Sequence, residues 1–155
     1  MCVDNDSHPP IAPIAGGSAG GQDLRLTSAD GTNFMAYAAR AANPTGAGIV
    51  VIPDVRGLHP YYKELADRFA EIGVDAVAID FFARTAPTDD RSDSFDFMSQ
   101  VGLTKPETLQ ADIGAAAAHR VARTAARYAR CSRWASASAA RSRISRPPAA
   151  SATRA

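Results

Sequence analysis

The chain has 155 residues, 46% of them hydrophobic, which is enough for one domain with its own core and for no more. Its net charge of +1 combines two unlike parts: residues 1–119 carry 8 basic and 16 acidic residues, whereas residues 120–155 carry 9 Arg and no acid. No run of about 18 apolar residues occurs and the N-terminus lacks the order of a signal peptide, so we expect no membrane partner. Cys2 and Cys131 are a poor disulfide framework, so a reducing cytoplasm is the expected compartment.

The first elements along the chain predict a leader followed by a β-hairpin. Residues 1–22 are rich in Pro and Gly and predict an extended leader. Alternating apolar and polar residues predict an edge strand over Asp23–Thr27. Ser28–Gly31 then predicts a turn, and Asn33–Ala39 the return strand.

The next segment predicts a βαβ unit. Ile49–Ile52 is a short β-branched run, typical of a strand buried on both faces. Apolar residues at helical spacing predict a helix over Tyr61–Ile72, and Val74–Ile79 predicts a second buried strand. A helix between two strands favours a parallel pair. Residues 83–97 are predicted to form a polar loop.

A second helix is predicted to start at a capping box formed by Thr104 and Glu107 and to run to about His119. After His119 the pattern changes abruptly, because residues 120–155 contain 12 Ala, 9 Arg and 6 Ser. A segment of this composition buries little apolar area, so we expect a disordered or irregular tail. The folded part is predicted to span residues 23–119.

Three motifs in the βαβ segment are informative in their order and spacing. They are VIPDVRGL at the end of the first buried strand, the helix pattern K-E-L-A-x-R-F-A-x-x-G, and D-F-F-A-R-T-A-P after the next strand. Together they resemble the dienelactone hydrolase family of α/β hydrolases. The resemblance covers residues 23–119 and implies an α/β fold. It corresponds to the N-terminal half of a hydrolase sheet, with a hairpin, a parallel βαβ unit and flanking helices.

The resemblance implies a hydrolase of esters or lactones with a Cys-His-Asp mechanism, acting on a small-molecule substrate. Asp54 matches a supporting acid that helps control the thiol, although the family has Glu at that position. Arg84 matches an arginine that holds a substrate carboxylate. The alternatives are an Asp that only starts a loop and a solvated surface Arg. No metal or other cofactor is implied, and the two cysteines have no metal-binding spacing.

The nucleophile, the His and the Asp of that mechanism have no counterpart in the chain, so we expect it to be inactive as encoded. The family's nucleophile lies in a G-x-C-x-G turn, which is absent here, and Cys131 lacks the glycines and the preceding strand. Trp134–Ala140, translated in a shifted frame, is compatible with G-F-C-F-G-G at about the expected place. We therefore infer a frameshift near His119 that removed the nucleophile turn.

Two hypotheses from other classes remain open. The Arg-rich tail is compatible with a non-catalytic protein that binds nucleic acid through phosphates, although it shows no basic helical face, so nucleic acid is not the expected partner. The chain is also compatible with a non-functional fragment. Among the remaining candidates, His59 is expected at the surface, His8 and His119 in structural or exposed positions, and Cys2 near the terminus without a catalytic role.

Overall fold

The computed structural model describes residues 6–92, 94–120 and 122–123. The chain divides into two units, residues 1–121 and 122–155, and every element named below lies in the first. Within these described residues, four strands form one mixed sheet in the order β1-β2-β4-β3. The predicted α/β class is confirmed by this sheet and the helices beside it. Cys2, Cys131 and the tail beyond residue 123 lie outside the described residues.

The hairpin pairs β1 (Ser18–Thr27) with β2 (Asn33–Ala41) in antiparallel register, with Thr27 opposite Asn33. β1 therefore begins five residues before the predicted start at Asp23, and the end of the predicted leader is strand. The Gly-rich start of β1 hides the alternation from a sequence pattern, but β2 extends far enough to pair with it. At the hairpin turn Gly31 takes a φ of +83°, a conformation that favours glycine.

The two remaining strands are β3 (Gly48–Val51) and β4 (Asp75–Ile79), and they run parallel as predicted. β4 lies between β3 and β2, and it is antiparallel to β2. The carboxyl ends of β3 and β4 therefore meet the hairpin turn at one edge of the sheet, since Asp80, just after β4, donates its N–H to the carbonyl of Met35 in β2. We call this edge the carboxyl edge.

Helices cover both faces of the sheet, which explains why β3 and β4 are nearly continuous apolar runs. On one face lies α1 (Pro60–Glu71), whose Ala66 and Ala70 are fully buried against small side chains of the strands. On the other face lies α3, residues 106–120. The core on that side comprises apolar side chains of the strands and of α3: Leu26, Phe34, Ala36, Ala38, Val77, Ile79 and Ala116.

The helices differ from the prediction in the start of α3 and in one additional short helix. Residue 106 is the first helical residue of α3, and the Lys105 carbonyl accepts the N–H of Leu109. Pro106 suits the first helical position because it lacks the N–H that a helix start leaves unpaired. The predicted capping box is therefore wrong, and the Thr104 hydroxyl instead donates to the carbonyl of Gln100. A short helix, α2 (Phe97–Val101), was not predicted, and Asp96 caps it.

Candidate active site

Asp54, the predicted supporting acid, follows β3 at the carboxyl edge and is half-buried. Its Oδ1 accepts the N–H of Arg56 at 3.0 Å and its carbonyl accepts the N–H of Gly57 at 3.1 Å, so the side chain is fixed within a tight turn. Burial is the main cause that raises the pKa of the Tyr62 hydroxyl, and the charge of Asp54 adds to it. Asp54 is thus a carboxylate with a fixed orientation at the carboxyl edge. In open α/β sheets, ligands generally bind outside this edge.

Arg84, the predicted carboxylate binder, lies on the segment that leaves β4 at the same edge. Its Nη1 and Nη2 donate to the two carboxylate oxygens of Asp112, at 2.7 and 2.9 Å. Its Nε and Nη2 donate to the two oxygens of Asp30, both at 3.0 Å. The Arg84 guanidinium is therefore not a solvated surface charge, because it is hydrogen-bonded to one carboxylate of the hairpin turn and to one of α3.

The two partners of Arg84 differ in their environments. The side chain of Asp112 is 1% exposed, whereas that of Asp30 is 44% exposed. The hydrogen bond to Asp112, followed by the weaker effect of Asp30, raises the pKa of Arg84 further above its ordinary value. The Thr32 N–H is the main cause that lowers the pKa of Asp30, and Arg84 adds to it. Both shifts favour the charged forms of Arg84 and Asp30.

A second ion pair at this edge was missed by sequence reasoning. Arg91 donates from Nε and Nη2 to both oxygens of Asp80, at 3.1 and 2.8 Å, and the two side chains are only 3% and 1% exposed. Its Nη1 donates to the carbonyls of Thr88 and Asp90 at 2.7 Å each. Arg91 thus ties the segment after β4, which carries Arg84, to the end of that strand. An acid ending a buried strand before an Arg-containing loop was the available signal.

Gly57 joins the turn of Asp54 to this buried pair. Its φ is +69°, and a Cβ at this position would lie 2.7 Å from Oδ1 of Asp80 and 2.9 Å from Cδ2 of Phe82. Arg91 in turn lies over the ring of Phe95, 4.3 Å from its centre. Glycine is required here both by the left-handed backbone and by the close approach of the Asp80 carboxylate.

Two of the histidines considered in the sequence, His59 and His8, have partners in the structure. The expectation that His59 lies at the surface is wrong: it is 5% exposed and caps α1, where its Nδ1 accepts the N–H of Tyr61 at 3.3 Å. His8 lies elsewhere and pairs with Glu64 at 2.7 Å. Within the described part of the chain, no group of three or more His, Cys, Asp or Glu side chains is placed to hold a metal ion.

The chain matches the model of a known protein family. The model of the dienelactone hydrolase family matches residues 34–130, well over half of the chain and beyond the predicted limit of residue 119. No curated protein matches the chain. Across the residues that the structure describes, no helix combines the length and the apolar character that a membrane crossing needs.

Two solved structures are similar to the chain. One is a crystal structure from Klebsiella pneumoniae subsp. pneumoniae MGH 78578, assigned as a dienelactone hydrolase, which is 24% identical with a TM-score of 0.53. The match covers 66% of this chain and 44% of that structure's chain. A second structure, m3DLH, is 23% identical with a TM-score of 0.49 over the same shares of the two chains. This chain therefore spans less than half the length of either structure. The first likeness establishes the shared fold, and the family match places the chain in the dienelactone hydrolase family.

Proposed function

We propose that this chain forms the acid-and-arginine side of the active site of a thiol-dependent hydrolase, which acts on a small ester or lactone that bears a carboxylate. The observation that carries the proposal is that Asp54 and Arg84 both follow the carboxyl ends of two neighbouring parallel strands, β3 and β4. In open α/β sheets the carboxyl edge is where ligands bind. Membership of the family supports hydrolysis as the reaction class.

Asp54 is proposed as the acid that supports the nucleophilic thiol. Its carboxylate accepts the N–H of Arg56 within a tight turn, which gives it a defined orientation. A negative charge near a thiol favours the protonated thiol, so such an acid would keep the sulfur unreactive until a substrate arrives. Asp has one methylene fewer than the family's Glu, and we propose that the turn at Gly57 determines how far its carboxylate reaches.

Arg84 is proposed to bind the carboxylate of the substrate. A guanidinium presents parallel N–H donors that match two carboxylate oxygens, and this geometry orients as well as attracts an anion. Its bidentate contact with Asp112 keeps the plane of the guanidinium fixed. A substrate held in this way would place its ester or lactone carbonyl at a constant position at the carboxyl edge.

The nucleophile is proposed to be missing from the chain as encoded, because of a frameshift near His119. The shifted translation of Trp134–Ala140 allows G-F-C-F-G-G, a turn that exposes a thiol beside backbone N–H groups. In the restored frame, the thiolate would attack the carbonyl carbon to form an acyl-enzyme with release of the alcohol. Water would then release the acid.

The test compares two proteins, namely the chain as encoded and a version with the frame restored ahead of Trp134 from the resequenced gene. Both are assayed with an aryl ester that carries a carboxylate. We expect turnover from the restored protein, abolished by alkylation of its thiol, and none from the encoded chain. The carboxylate-free aryl ester is the control, and it should be hydrolysed less well.

Thiol-dependent turnover by the encoded chain would contradict the proposal that it lacks the nucleophile. Parent DNA without a G-x-C-x-G in any frame after Ala115 would contradict the frame change itself. Equal turnover of both esters by the restored protein would contradict the role of Arg84 and leave the hydrolase assignment intact.

A further inference from the structure

The two carboxylates that bind Arg84, those of Asp112 and Asp30, differ in how easily another carboxylate could replace them. Asp112 is buried at 1% exposure on α3, and it makes the shorter pair of hydrogen bonds, at 2.7 and 2.9 Å. A carboxylate at this depth cannot leave its cation without losing its compensation for burial. Asp112 is therefore a permanent partner of Arg84.

Asp30 has none of these constraints. It lies on the exposed hairpin turn with its side chain 44% exposed, and it faces the Nε and Nη2 side of the guanidinium at 3.0 Å. When the pair separates, water can solvate the Asp30 carboxylate, while the Arg84 guanidinium, 16% exposed, keeps Asp112 as its partner. The N–H of Thr32 also donates to Oδ1 of Asp30 at 3.0 Å, so the carboxylate retains a partner within its own turn when it leaves Arg84.

The Nε and Nη2 edge of a guanidinium is also one of the two edges that recognise a carboxylate through paired hydrogen bonds. Asp112 occupies the other edge. Asp30 thus places a carboxylate where an exogenous carboxylate can bind without disturbing the buried pair. Replacing one carboxylate by another keeps the paired hydrogen bonds at this edge of Arg84.

We propose that Asp30 is a built-in competitor that occupies the carboxylate-binding edge of Arg84, and that a small-molecule carboxylate binds by displacing Asp30 while Asp112 keeps the guanidinium in place. This inference rests on the proposed function, because it takes Arg84 as the anion-binding residue. It adds a residue that determines affinity and lies far from Arg84 in sequence. A binding edge that is open only part of the time has its apparent affinity reduced by the open fraction.

The experiment uses the full chain with benzoate as the probe, and follows the NMR resonance of the Arg84 side-chain Nε–H. The variant is Asp30→Asn, whose amide oxygen can still accept the Thr32 N–H while the charge is lost. The matched control is Asp23→Asn, which removes the same charge from an exposed pair with Lys63. Benzamide serves as the uncharged probe.

We expect benzoate to shift the Arg84 resonance in all three proteins. Its dissociation constant in Asp30→Asn should fall about three- to tenfold, as removal of a weak surface competitor implies, and should be unchanged in Asp23→Asn. Benzamide should bind no better to the variant. If Asp30→Asn loses its fold, Asp30→Ser replaces it, since a hydroxyl can also accept the Thr32 N–H in a turn.

Equal benzoate affinity in the wild-type chain and in Asp30→Asn, with the Arg84 resonance still responding, would overturn the competitor and leave the proposed role of Arg84 standing. An Arg84 resonance that benzoate does not move in any of the proteins would overturn both.

Discussion

The buried pair of Asp80 and Arg91 supports the most discriminating stability experiment. Arg91→Met keeps most of the side-chain volume but leaves the Asp80 carboxylate, 1% exposed, without its two guanidinium hydrogen bonds. Removing one partner of a buried pair costs about 3–5 kcal/mol, since the remaining charge is neither solvated nor paired. We expect a loss of that size in the free energy of unfolding.

The assay is denaturant unfolding of the full chain, followed by circular dichroism and extrapolated to water. Arg25→Met is the matched control, because Arg25 pairs with Asp89 at the surface, where the side chains are 58% and 41% exposed. That substitution should cost no more than about 1 kcal/mol.

The double variant Asp80→Asn with Arg91→Met isolates the charge effect. It buries no unpaired charge, so it should be less destabilised than the two single variants added together. If a single variant is unfolded without denaturant, the double variant should regain a cooperative transition. A loss below about 1 kcal/mol for Arg91→Met, equal to that of the surface control, would refute the argument that burial makes this pair indispensable.

Two further predictions concern the turns and the tyrosines. Gly57→Ala should lower the free energy of unfolding by about 2–4 kcal/mol, through backbone strain and the clash with Asp80. Gly31→Ala should lower it by about 1–2 kcal/mol, because its Cβ would meet nothing within 4 Å and only the backbone strain remains. Equal losses in denaturant unfolding would contradict the clash at Gly57. Burial, followed by the charge of Asp67, raises the pKa of Tyr37 from 10.0 to about 12. The folded state therefore holds the phenol proton more tightly, so stability present below pH 10.0 should be lost as the pH rises towards 12. Tyrosinate absorbance should show an earlier titration in Asp67→Asn, and an unchanged one would exclude Asp67 as a cause.

Local patterns in the sequence were sufficient for the main elements of the fold. The β-branched run of β3, the apolar spacing of α1 and the run of β4 each reflect burial on a known face, so their order implied a parallel βαβ unit. The hairpin turn followed from Asp30 and Gly31. The extent of β1 did not, because its glycines carry no alternation and only pairing with β2 extends the strand to Ser18.

From the sequence, two individual residues of the candidate site could be proposed, but not the contacts around them. The resemblance to a family indicated Asp54 and Arg84 by position, but positions in a motif carry no information on hydrogen-bond partners. Arg91 was missed because an arginine in a polar loop is ordinarily solvated. The one local signal, an acid at the end of β4 before this loop, does not by itself show that the arginine folds back onto the strand end. The burial of His59 was missed for the same reason, since a residue before Pro60 is ordinarily exposed.

The sequence by itself therefore determined which segments are strand and helix, and which of their faces are apolar, because these properties repeat with the period of the backbone. Only the tertiary structure decided the partners of the charged side chains. Arg84 meets Asp30 and Asp112, which lie 54 and 28 residues away, because the hairpin turn and α3 converge at the carboxyl edge of the sheet. Whether a charge is paired, exchangeable or buried depends on which distant segments reach it, and chain topology settles that.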